Sequence, residues 1–77
     1  MLPKLGNRKE LMRMARENLK KARQEAGMTQ QGVADQIGIS LTYYQKIEAG
    51  DRTGDFTLWD CLEDLFGIHQ RKLREIE

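Results

Sequence analysis

QQGVADQIGISLTYYQKIEA, residues Gln30–Ala49, reads as two short helices joined by a tight turn. Val33, Ala34 and Ile37 recur at the spacing of one helical face, and Ile39, Tyr44 and Ile47 resume an inward face beyond Gly38. Gly38 supplies the positive φ that a sharp turn between helices requires. Ala34 lies four residues earlier, where a larger side chain would push the second helix away. Ser40 is placed to cap that second helix through its hydroxyl. Leu41, Thr42, Gln45 and Lys46 are left facing outward, and their chemistry suits base edges and phosphates. The pattern is that of a helix-turn-helix motif whose second helix reads DNA.

At 77 residues the chain supports one small domain, so that domain carries the whole function. No apolar run approaches the roughly 20 residues that span a bilayer, and the first residues lack the apolar core of a secretory signal. A cytoplasmic protein with no membrane contact is expected. The net charge of +1 argues little by itself, but its distribution is uneven. Residues 1–27 hold eight basic against three acidic side chains, whereas residues 28–55 hold two against four and residues 56–77 three against five. That polarity predicts a basic edge towards the first helix, suited to phosphates, or simply a solvated helix surface.

Pro3 and Gly6 mark residues 1–6 as a short mobile leader, with Asn7 as a helix cap and residues 7–77 as the domain. Leu11, Met12, Ala15, Leu19, Ala22 and Ala26 predict a long amphipathic helix from Arg8 to Ala26, ended by Gly27. Thr29 caps the next helix. After the two motif helices, at about 30–37 and 40–48, the stretch Ala49–Asp55 is a polar loop. A fourth helix starts near Asp55 or Thr57 and ends at Gly67, with Phe56, Trp59, Leu62 and Phe66 on one face and Leu58 and Leu65 beside it. Ile68, Leu73 and Ile76 suggest a short fifth helix. An all-α, compact five-helix domain follows.

This order of elements resembles the lambda-repressor-like family, which includes the Cro and Xre-type regulators of phages and mobile elements. The resemblance covers about residues 15–76. It rests on Leu19-Lys20-Lys21-Ala22-Arg23, on Gly27-Met28-Thr29-Gln30 through Ala34 and Ile37-Gly38, on Ile47-Glu48-Ala49-Gly50, and on Leu65-Phe66-Gly67-Ile68. It implies binding of double-stranded operator DNA, an inverted repeat, by a homodimer with the second motif helix in the major groove. Gln30 matches the glutamine that contacts a backbone phosphate and braces the reading helix. Ser40, Leu41, Thr42, Gln45 and Lys46 fall on the positions that approach DNA. Gln45 can pair with adenine, Lys46 with guanine or a phosphate, and Leu41 or the Thr42 methyl can touch a thymine methyl. Arg52 is a phosphate contact in the loop, and Tyr43 either donates to a phosphate or lies along the edge of the helix pair. Arg23 and Glu48 match a pair that ties the first helix to the reading helix.

The chain also departs from the family pattern. Gly32 replaces the usual acid of a capping box and predicts a weaker first motif helix, by roughly 0.8–1 kcal/mol relative to alanine. Tyr44 replaces a branched aliphatic residue, and its hydroxyl needs a partner or a path to solvent. With only Arg52 basic in the loop, Arg16, Lys20 or Lys21 would supply further phosphate contacts.

Other candidate chemistry is weak. Cys61, the sole cysteine, permits neither an intrachain disulfide nor a cysteine zinc site, and its apolar surroundings predict a buried thiol. His69 has no second ligand at metal spacing and suits a cap or the surface. Asp60, Glu63 and Asp64 form a solvated acidic face, and Trp59 and Phe66 belong to the core. No nucleophile with its base, phosphate-cradling loop or metal cluster appears, so neither an enzyme nor a cofactor is expected. The expected function is a sequence-specific transcriptional regulator, a repressor of phage or mobile-element type, dimerising through the first or the closing helices with exposed Leu73 and Ile76 as candidates. The alternative is a helix-turn-helix protein-interaction module, such as an antitoxin-like partner-binding protein.

Overall fold

The computed structural model describes residues 15–76. Five helices follow one another: α1 (Glu17–Glu25), α2 (Gln30–Ile37), α3 (Leu41–Ala49), α4 (Phe56–Phe66) and α5 (Gln70–Leu73). In α2, α3 and α4 the boundaries come from caps that satisfy the first free amides. The Thr29 hydroxyl accepts from the Gly32 amide at 2.9 Å, Ser40 from the Tyr43 amide at 3.1 Å and the Asp55 carboxylate from the Leu58 amide at 2.9 Å. Gly38 ends α2 at φ 77°, and the next amide, that of Ile39, returns to the Ala34 carbonyl at 3.0 Å. The chain therefore turns within three residues. Despite Gly32, α2 keeps its whole expected span.

α2 packs on α3, α1 on α3 and α5, and α4 on α2 and α5. Between them lies one core of Leu19, Ala22, Val33, Ala34, Tyr44, Ile47, Leu58, Trp59, Leu62 and Leu73. Trp59 is enclosed by the loop before α4, where its Nε1 donates to the Thr53 carbonyl at 2.8 Å. Gly54 permits this close approach: at φ +77° a Cβ there would meet Leu58 Cδ2 at 2.6 Å and Trp59 Nε1 at 2.7 Å.

Four expectations require correction. The first helix does not run unbroken from Arg8 to Ala26, because Ala15 and Arg16 are non-helical; residues 8–14, the leader at 1–6 and the Asn7 cap lie outside the described residues. The break arises because Arg16 is committed to other partners, its amide donating to the Glu48 carbonyl at 2.9 Å. Phe56 is not core but 81% exposed, since the buried face of α4 begins at Leu58 and Trp59. Leu73 is 0% exposed, closing the core between α5, α1 and α4, which leaves Ile76 as the exposed one of the pair. Cys61 is half-buried rather than enclosed, beside Gln36, Ile37, Asp64 and Leu65 in a shallow cleft.

His69 does cap α5, its Nδ1 accepting from the Arg71 amide at 3.1 Å. Asp60 and Asp64 are exposed and Glu63 is half-buried, with Gln70 Nε2 donating to Asp60 at 2.8 Å and to Glu63 at 3.0 Å. Among the described residues no helix is long and apolar enough to cross a membrane.

Candidate nucleic-acid interface

α3 has two faces with different tasks. Its inward side presents Tyr44, Ile47 and Glu48, all buried, and its outward side presents Ser40, Thr42, Gln45 and Lys46, all exposed. The split follows from helical spacing, since residues three and four apart share a face. Leu41 and Tyr43 lie at the boundary and are half-buried, Tyr43 against the core.

Beneath the outward face, Glu48 is the centre of a hydrogen-bonded network. Arg23 Nε donates to Glu48 Oε2 at 2.8 Å and Arg23 Nη2 donates to Oε1 at 3.2 Å, a two-point ion pair. The Tyr44 hydroxyl donates to Oε2 at 2.7 Å, and Gln30 Nε2 donates to Oε1 at 2.9 Å. Glu48 is only 5% exposed, yet its carboxylate meets donors from three side chains, which compensates for burial of the charge. Burial by itself opposes ionisation of Glu48, but the hydrogen bonds from Arg23, Tyr44 and Gln30 outweigh it and hold the carboxyl below its ordinary value. The same contacts act in reverse on their donors. Bonding to Glu48 raises Arg23, and burial followed by the Glu48 carboxylate drives the Tyr44 hydroxyl far above its usual range.

The network reaches the outward face through one further bond. Gln45 Nε2 donates to Gln30 Oε1 at 3.3 Å, so Gln30 links the buried carboxylate to an exposed amide on α3. The Gln45 amide is therefore tethered from below. Arg23 Nη1 also donates to the Met28 carbonyl at 3.0 Å, fixing the turn that leads into α2.

The structure brings together the predicted Arg23–Glu48 pair and places Gln30, Gln45, Thr42, Lys46 and Ser40 along one side of the motif. Arg52 is exposed in the following loop. Lys20 and Lys21 are exposed on α1, as a phosphate contact requires. Arg16 is different. It is 4% exposed and its guanidinium lies 5.1 Å from the centre of the Trp59 ring, so it is turned inward instead of standing out on the surface of α1 as Lys20 and Lys21 do. Its Nη1 donates to the carbonyls of Ile47 and Arg52, and its Nε donates to that of Arg74 at 3.0 Å. The attraction of a cation for the carbonyls at the ends of α3 and α5, with that of Arg52 in the loop, explains this inward placement. The partner of the Tyr44 hydroxyl was also not identified from sequence, although the i, i+4 spacing of Tyr44 and Glu48 on one helix was the available signal.

Comparison with known proteins agrees with this geometry. A 43-residue segment is 44% identical to an uncharacterized HTH-type transcriptional regulator, YqaE, of Bacillus subtilis strain 168. The segment is 56% of this chain but 37% of that relative, so the chain spans well under half of the protein it matches. The family model for helix-turn-helix proteins matches residues 19–69, which takes in both motif helices, the Arg23–Glu48 pair and all of α4. By that match, over more than half of its length, the chain belongs to the helix-turn-helix family of the Cro/Xre type.

Proposed function

We propose that this chain is a sequence-specific DNA-binding transcriptional regulator that inserts α3 into the major groove. The observation that carries this is the tethered outward face: Gln45 is exposed at the surface of α3 yet held through Gln30 to the buried Glu48 network. A preorganised amide loses less rotamer freedom when it pairs with adenine. Ser40, Thr42 and Lys46 flank it, with Leu41 and Tyr43 at the rim, Arg52 in the loop, and Gln30 at the start of α2 as a phosphate contact. Residues 7–77 act as the DNA-binding unit. The family and the relative's name support the regulatory role.

In its finer form the proposal is a cytoplasmic repressor of phage or mobile-element type, bound as a homodimer to an inverted repeat with half-sites about 34–36 Å apart. Ile76, 46% exposed beyond α5, is a candidate for the contact between copies. Selection of bound duplexes from a random pool at two salt concentrations tests the reading. An enriched inverted repeat is expected; no enrichment at either salt would overturn it. Lengthening the half-site spacing by about five base pairs places the two halves on opposite sides of the duplex and should abolish paired binding.

A second reading, a module that binds a partner protein, is favoured by one observation: Phe56 is 81% exposed at the start of α4. Salt separates the two. Phosphate contacts make log affinity fall linearly with log salt, whereas a mainly apolar contact changes little.

A further inference from the structure

A second cationic feature involves none of the outward residues of α3. A cleft of about 500 Å³ is lined by Arg16, Thr53, His69, Arg71, Arg74 and Glu75, from the start of α1, the α3–α4 loop and α5. Three guanidinium groups and an imidazole thus meet a single carboxylate, and that carboxylate is already engaged: Glu75 Oε1 accepts from Asn18 Nδ2 at 2.7 Å. Among the described residues none of Arg16, Arg71 and Arg74 forms an ion pair.

Arg16 is the decisive residue. Its Nε and Nη1 are used by three backbone carbonyls, while among the described residues Nη2 has no acceptor. Arg16 lines the cleft, which puts its guanidinium within reach of an anion held there. Burial, and then the neighbouring Arg74 charge, both disfavour protonated Arg16. An anion in the cleft would relieve both costs at once.

We propose that this cleft binds a phosphate-bearing anion, with Arg71 and Arg74 as a charged clamp and Arg16 Nη2 as a rigid donor at its inner wall. Guanidinium forks suit phosphate oxygens, which accept several bonds in fixed directions. A monocarboxylate would leave most of the surrounding charge uncompensated. The volume exceeds that of bare phosphate and leaves space for an attached organic group. His69 Nδ1 is occupied by the Arg71 amide, which leaves Nε2 and the Thr53 hydroxyl as further polar contacts. A phosphorylated small molecule and a backbone phosphate of nucleic acid share this chemistry.

Thermal unfolding of the DNA-free protein in sodium phosphate, against sodium chloride of equal ionic strength, tests the site apart from the DNA-reading role. Saturable stabilisation is expected, with Tm raised by about 4 °C or more once phosphate exceeds its Kd tenfold. Arg71→Gln and Arg74→Gln should each abolish the saturable part; both side chains are exposed, so folding is retained. The general exclusion effect of phosphate, being common to all variants, stays. Should phosphate fail on the free protein while Arg74→Gln lowers the salt slope on a duplex by about one, the phosphate comes from nucleic acid. Absence of both effects overturns the proposal, whether or not α3 reads DNA.

Discussion

Arg16 and Arg23, at opposite ends of α1, both anchor α3, but their charges are stabilised in different ways. Arg23 meets the Glu48 carboxylate, so the pair is neutral and its bonds run in defined directions to Tyr44, Gln30 and the DNA-facing Gln45. Among the described residues Arg16 meets backbone carbonyls and the Trp59 ring and no carboxylate, so its positive charge is not neutralised there. The first arrangement transmits order to the outward face of α3. The second fixes the end of α3, the loop that follows it and the end of α5 whatever side chains stand at residues 47, 52 and 74. It leaves a field that attracts an anion.

Glu48→Ala should have the largest effect. Loss of the carboxylate leaves Arg23 buried without its counterion and removes the acceptor for Tyr44 and Gln30, so stability should fall by about 3–5 kcal/mol in urea unfolding. An unchanged midpoint would remove the pair from the account. Acid should reproduce part of this loss. Because folding lowers the Glu48 pKa from 4.5, the unfolded state binds more protons in that range, and the stabilisation present above pH 4.5 is lost as pH falls through the lower, folded value. A Glu48→Gln variant should lose less stability over the same interval.

Arg16→Met keeps the length and apolar contact of the side chain but deletes its donors to three carbonyls and its charge over Trp59. A cost of about 2–3 kcal/mol is expected, with no added dependence on pH between 3 and 6. A pH dependence there would show that Arg16 leans on a carboxylate after all. Tyr44→Phe is smaller, about 1–2 kcal/mol, since Glu48 retains Arg23 and Gln30. Gln45→Ala should change stability by less than about 0.5 kcal/mol while costing about 1–3 kcal/mol of discrimination at one operator position, measured by competition among single-base variants of the selected site. Equal discrimination would detach the tethered amide from base reading.

Elements with local causes were legible in the sequence. Gly38 after Ile37, the caps Thr29 and Ser40, and the spacing of Val33, Ala34, Ile47 and Leu62 act within a turn or two of chain, and the structure has them where the pattern puts them. The outward character of Thr42, Gln45 and Lys46 was legible for the same reason: a helix of known period has to expose what it does not bury. Only the tertiary structure decided the fates of Arg16, Phe56 and Leu73. Arg16 looks like any surface base until the carbonyls of residues 47, 52 and 74 converge on it from three segments distant in sequence. Phe56 and Leu73 both lie on apolar faces. Which of them is covered depends on where the neighbouring elements end, and periodicity carries no information about what lies across the core.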